Sequence, residues 1–165
     1  MALDMFLLFA DSAAIKGETQ DKVYESKGAI DILAWSWGMS QSGSFHGGGG
    51  GGAGKANFQD ISVTKYVDKS TSNLMLCCAT GKHIDDATLI VRKAGTKQLE
   101  YIKIKMEEVM VTSLSTGGSG GEDRLTENVS LNFAKVTYSY LPQKKDGTLD
   151  AAIDFKYDIA SNVNE

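Results

Sequence analysis

The chain has 165 residues, 42% of them apolar, and a formal net charge of −4 at pH 7. Those totals predict one domain over residues 1–165 with a real core, neither a disordered chain nor a membrane-spanning one. The mild acidity comes without a run of like charges, a basic stripe or a basic amphipathic helix, which argues against nucleic-acid and membrane partners. The longest apolar run, Met5 to Ala10, is too short to cross a bilayer. The N-terminus carries Asp4 and lacks both a basic region and a small-residue cleavage site, so it does not read as a secretory signal. Taken alone, this predicts a cytoplasmic protein, with export by a machine that needs no such signal left open.

Ala2 to Phe9 reads as a strand buried at one end, and Asp11 to Gly28 as a polar loop holding a short extended piece. Ile30 to Gln41 reads as one strand. Alternation places Leu33, Trp35, Trp37 and Met39 on one face and Ile32, Ala34 and Ser36 on the other. The tryptophans carry a large apolar surface and are expected in the core. The opposite face shrinks towards Gly38 and suits a surface that meets something else. Ser42 to Ala56 is expected to be a loop, with six consecutive glycines, Gly47 to Gly52, before Ala53, Gly54 and Lys55. Such a loop loses much backbone entropy if it orders, so it stays mobile or orders against a partner.

Asn57 to Val67 returns as a strand with Ile61, Val63 and Val67 on one face. The one convincing helix follows. Ser70 is its expected N-cap, Leu74, Cys77 and Cys78 keep helical spacing, and Gly81 closes it, with Lys82 and His83 at the negative end of its dipole. Adjacent Cys77 and Cys78 are expected to be reduced core thiols. Strands are then expected at Thr88–Lys93, with a turn at Gly95, and at Leu99–Thr112, Asn128–Leu141 and Ile153–Ile159, Pro142 ending the third. In the second, the apolar phase shifts after Glu108; in the third, Val129, Leu131 and Phe133 give way to Val136, Tyr138 and Tyr140. A one-residue slip in a long strand predicts a bulge and a bend. Many curved strands with one helix predict a mainly β fold, an antiparallel barrel or sandwich.

The chemistry of these residues points away from catalysis. Gly49 through Lys55 fits G-x-x-x-x-G-K, but Ala56 stands where Ser or Thr should hold magnesium, and a strand is expected where the motif needs a helix. His46 has no Cys, Asp or Glu close by, and His83 with Asp85 and Asp86 is too small a set for zinc. No serine sits in a G-x-S-x-G elbow. Glu107 and Glu108 point to opposite faces of a strand and make a poor acid/base pair. Glu122-Asp123-Arg124, in a glycine-rich turn, is expected to make ion pairs at a protein contact. Asn128-Val129-Ser130 fits the glycosylation sequon, which carries no weight without a secretory signal. No catalytic residue, cofactor or metal is expected.

AWSWGMSQSGSFHGGGGGGAGK, from Ala34 to Lys55, resembles the signature of the hemolysin-coregulated protein (Hcp) family of type VI secretion tube proteins. DKSTSNLMLCCATGKH at Asp68–His83, LIVRKAG at Leu89–Gly95 and STGGSGGEDRLTENVSLNFAKV at Ser115–Val136 resemble it too, as does ALDMFLLF near the start. The least family-like stretches are Ser12 to Lys27 and Lys144 to Glu165. The resemblance implies an antiparallel β-barrel of two curved sheets with one short α-helix packed on its side. It also implies homohexameric rings that stack into a hollow tube, are expelled from the bacterial cytoplasm without a cleaved signal peptide, and carry effector proteins in the lumen. Spike and sheath components are the other partners it implies. By the same resemblance, Ala34 and Ser36 face the lumen. Ser42, Ser44, His46, Gly50 and Lys55 contact the next ring, with Glu122, Asp123 and Arg124 in a second contact loop. Some members carry a C-terminal toxin extension; with the sequence reading to Glu165, none is expected here. The alternative is a monomeric β-barrel that binds a small ligand, with Trp35 and Trp37 lining its pocket.

Overall fold

The computed structural model describes residues 2–43, 45–46, 54–95 and 97–165. In chain order they form β1 (Leu3–Phe9), β2 (Ile30–Ser36), β3 (Met39–Gln41), β4 (Ala56–Phe58), β5 (Ile61–Tyr66) and α1 (Thr71–Thr80). There follow β6 (Ile84–Lys93), β7 (Glu100–Thr116), β8 (Thr126–Tyr140), β9 (Ile153–Asp158) and β10 (Val163–Asn164). The main sheet runs β8-β5-β2-β1-β6-β7, and β7 pairs back onto β8, closing an antiparallel barrel with no free edge among those strands. β9 and β10 extend the sheet beyond the barrel, and β3 with β4 makes a separate ribbon. The mainly β barrel read from the sequence is the architecture found. α1 packs against β7, with Leu74 and Cys77 in the core.

β1 is apolar from Met5 onward because both of its faces are covered there. Leu7 and Phe9 point into the barrel, while Phe6 joins Tyr24, Ala29 and Ile90 in a second cluster. Residues 11–28 provide that cover, a connection with two single turns of 3-10 helix, Asp11–Ala13 and Glu25–Lys27. Gly17 lets them approach: a Cβ there would lie 2.5 Å from the carbonyl oxygen of Ala29. Ser70 occupies the expected capping position, but its dihedrals are helical and its side chain makes no cap bond. It hydrogen-bonds to Asp68 instead. Gly81 closes the helix at φ 64°, donating its N–H to the carbonyl of Cys77.

The tryptophan strand is shorter than the alternation implied. β2 stops at Ser36, and Met39–Gln41 turns into the β3–β4 ribbon, held by the Gln59 N–H to Gly38 carbonyl bond at 2.9 Å. The register of β2 on β5 shifts between Ile32 and Ala34. Ile30 and Ile32 therefore point inward as Trp35 does, and Leu33 and Met39 are exposed. Strict alternation had put Ile32 outside and Leu33 and Met39 inside; one extra residue reverses the phase. The strand expected at Asn57–Val67 likewise breaks at Gln59 and Asp60. Its inward residues are Ile61, Val63 and Lys65, and Val67 is exposed.

The two phase slips are one feature. In β7 the buried positions pass from Met106 to Val109, and in β8 from Phe133 to Val136. The flanking pairs Glu107↔Lys135 and Val109↔Phe133 place Glu108 opposite Ala134. Glu108 adopts φ 55°, so both strands bend together and the ladder resumes in register. β10, two residues long, had no sequence expectation.

Candidate functional site

β2, β5, β8 and β7 lie side by side, and their outward side chains form two cross-strand rows. Ala34 pairs with Thr64, Thr64 with Asn128, and Asn128 with Ser115. In the next outward row, Ser36 pairs with Ser62, Ser62 with Ser130, and Ser130 with Ser113. All of these side chains are small and uncharged, and each is exposed or half-buried. Ser62 and Ser130 share a hydroxyl contact of 3.2 Å, and Thr64 Oγ1 donates to Asn128 Oδ1 at 2.7 Å. Ser36, Ser113 and Ser115 make no side-chain hydrogen bond to another described residue, so their hydroxyls are available to a partner. At one end of this wall Asp60 accepts from Thr112 Oγ1 at 2.6 Å and from Asn132 Nδ2 at 2.9 Å. The result is a smooth face that admits close approach and offers hydrogen bonds, with little charge to select a partner by sign.

The wall is fixed from behind. Trp35 packs against the core, and Trp37 lies 6.3 Å from Phe58 and 6.1 Å from Phe133, its Nε1–H donating to the Gln59 carbonyl at 2.9 Å. At the other end, Lys65 and Glu127 are cross-strand partners with side chains 0% exposed. The Lys65 ammonium is ion-paired to Glu127 and to Asp68 at 3.1 Å, and Glu127 also accepts from Thr71 Oγ1 at 2.7 Å. This network ties the wall to the first turn of α1. The sequence held the signal, since Lys65 continues the phase of Ile61 and Val63, and Glu127 that of Val129 and Leu131.

A second buried cation braces β1. Arg92 lies 5.0 Å from the Phe6 ring centroid and 5.5 Å from that of Tyr24, and is paired with Asp21 and with Asp4 at 3.1 Å. The hydrogen bond from Arg92 holds the Asp21 carboxyl below its ordinary range against the cost of burial, and the Val23 N–H adds to this.

The remaining sequence candidates divide between two ends of the wall. Ser42, His46 and Lys55 are exposed beyond β3 and β4; Ser44 and Gly50 lie outside the described residues. Lys55 leads into β4, a strand where a phosphate loop would need a helix. Glu122, Asp123 and Arg124 are exposed in the β7–β8 connection, past the Thr116↔Glu127 pair. Arg124 sits 3.7 Å over the Tyr66 ring, and among the described residues it is ion-paired to neither Glu122 nor Asp123. Within one chain the two sets are therefore kept apart. Cys77 is buried, Cys78 half-buried, and both are free thiols. No helix among the described residues is long and apolar enough to cross a membrane.

The family model described as "Type VI secretion system effector, Hcp" matches residues 6–140. Protein hcp1 of Pseudomonas aeruginosa is 58% identical over 165 residues, covering 99% of this chain and 99% of that one. The crystal structure of Hcp1 from Salmonella typhimurium aligns over 100% of both chains with a TM-score of 0.80 at 32% identity. A type VI secretion system effector from Yersinia pestis gives 0.75 at 33% identity, over 94% of this chain and 99% of that one. A closed barrel with a side helix and these relatives define the class, a structural component of the type VI secretion system. Within it, the chain belongs to the Hcp family and is a type VI secretion tube protein.

Proposed function

We propose that this chain acts as a single barrel domain over residues 1–165 that assembles into homohexameric rings. The rings stack into the hollow inner tube of the secretion machine, which is fired from the bacterial cytoplasm and carries effector proteins in its lumen, between spike and sheath. The pair of neutral, hydroxyl-rich rows across β2, β5, β8 and β7 supports this reading. A wall that lines a conduit must let varied protein surfaces lie close without trapping them by charge, and small hydroxyl and amide side chains meet that requirement. Ala34 and Ser36 touch the cargo. Ser42, Ser44, His46, Gly50 and Lys55 at one rim meet Glu122, Asp123 and Arg124 of the next ring. Because the two sets leave opposite ends of the wall, head-to-tail stacking is the arrangement that joins them.

The monomeric ligand-barrel reading needs a pocket lined by Trp35 and Trp37, yet both pack against the side chains that fill the barrel. Light scattering on a sizing column, with negative-stain imaging of the same peak, tests the proposal. A mass near six chains with open rings is expected; a monomer at every concentration overturns it. Ser36→Gln tests cargo contact, and unchanged binding and stability of a co-expressed effector would remove Ser36 from that role.

A further inference from the structure

β3 and β4 form a two-stranded ribbon that takes no place in the barrel sheet. Each strand has three residues, and a hairpin that short does not hold its own orientation in water. Met39, Ser40, Gln41 and Asn57 are exposed, Ala56 and Phe58 half-buried, so Phe58 is the one large ribbon side chain with cover. Beyond the ribbon, Ser42 and Gly54 stay together, the Ser42 hydroxyl leaving no room for a Cβ at Gly54. The direction of the ribbon is therefore the direction in which Ser42 and Lys55 are presented.

Two rings hold Phe58. Trp37, at the exit of β2, lies 6.3 Å from it with the planes 23° apart. Tyr157, on β9, is closer, at 5.1 Å and 32°. Trp37 and its bond to the Gln59 carbonyl belong to the stretches that lead into and out of the ribbon. Tyr157 is the brace that comes from elsewhere in the chain. Its own place is set by the last residues. Its hydroxyl donates to Asn162 Oδ1 at 2.8 Å, and Asn162 has φ 58° in the turn between β9 and β10. Asp158 Oδ1 accepts the Ser161 N–H at 2.9 Å within that turn. The turn is anchored on the bend shared by β7 and β8. The carbonyl of Ala134, unpaired in their ladder, accepts the N–H of Ile159 at 2.8 Å and that of Ala160 at 3.3 Å. Lys135 adds an ion pair to Glu165 at 3.1 Å.

We infer that Tyr157 is a positioning residue for ring stacking: through Phe58 it sets the angle at which the ribbon offers Ser42 and Lys55 to the next ring. This rests on the stacking reading above. It gives the C-terminal hairpin, which contributes no side chain to the neutral wall, a part in assembly. Six ribbons meet the next ring together, so a loss of about twofold per copy compounds to about sixtyfold across the joint.

The experiment compares wild type, Tyr157→Thr and Tyr157→Phe in two settings. On the purified chain, hydrogen–deuterium exchange follows the amides of β3, β4 and Gln59 against those of β5 and β8. In a bacterium that fires the machine with this chain as its sole tube subunit, the secreted amount is read by immunoblot. Light scattering and circular dichroism check the ring and the fold. In Tyr157→Thr the ribbon amides should exchange about tenfold faster with β5 and β8 unchanged, and secretion should fall about tenfold or more. Tyr157→Phe keeps the aromatic contact and should match wild type in both settings. Where Tyr157→Thr fails to fold, Phe58→Thr reads the same contact from the ribbon side. Unchanged ribbon exchange, a Tyr157→Phe as defective as Tyr157→Thr, or rings lost in both threonine variants overturns the positioning role and leaves the stacking reading standing. Faster ribbon exchange with full secretion overturns stacking through this ribbon, and the inferred role with it.

Discussion

On the inner face of β2, β5 and β8, Trp35, Val63 and Val129 form one cross-strand row; one residue along, on the outer face, the row is Ser36, Ser62 and Ser130. The backbone pairing is common to both rows, so only side-chain chemistry separates them. The inner face is packed and dry, and a neighbouring row on it holds the Lys65–Glu127 pair, whose charges have no water to fall back on. The outer row is small and wet and contributes little to folding. On the proposed function, stability and recognition fall on opposite faces of the same strands, and a substitution should affect one with little effect on the other.

The sharpest break of that separation is Glu127→Ala. It leaves the Lys65 ammonium buried with Asp68 as its remaining carboxylate partner, and a loss of about 3–5 kcal/mol is expected by urea denaturation. The double variant Lys65→Met with Glu127→Leu should recover most of that loss, because an apolar pair of similar volume incurs no charge burial. Leu131→Ala, at a position fully buried behind the wall, should cost about 2–5 kcal/mol by the same assay. Both changes lie on the inner face, and neither should alter effector contact in whatever fraction remains folded.

Asp21 sharpens the comparison from outside the barrel. Its carboxyl is held low chiefly by the hydrogen bond from Arg92. A folded-state value below the unfolded one gives stability that is present above roughly pH 4 and is lost as pH falls through the lowered value. Asp21→Asn should therefore be less stable than wild type at neutral pH and flatten the acid limb of a stability–pH curve. A limb unchanged by the substitution would assign the acid sensitivity elsewhere. The smallest effect on folding is expected from Ser36→Gln, within about 0.5 kcal/mol of wild type. Its consequence should appear in effector retention, measured by co-purification.

Much of this was legible. The helix follows from its apolar spacing and the closing Gly81, although Ser70 makes no cap bond, and β6 to β9 follow from apolar runs and alternation punctuated by Gly95 and Pro142. The paired phase slips at Glu108 and Ala134 were visible as shifts of apolar phase, although only the ladder reveals that they face one another. Other features escaped for identifiable reasons. The register shift at Leu33 was hidden because Ile32, Leu33 and Ala34 are all apolar, so period-two reasoning could run through them in either phase. Lys65 and Glu127 drew no expectation, since nothing local to either residue announces a buried partner.

What the sequence determined by itself is most of the strands, the one helix, the small neutral side chains beside the tryptophans and the resemblance to a family; each of these rests on local chemistry. Tertiary structure decided which strand edges meet, that β7 closes on β8, that a lysine and a glutamate 62 residues apart are buried as a pair, and that β9 extends the sheet beyond the barrel. Pairing across long separations depends on the registers of several strands at once, and no single stretch of chain carries that information.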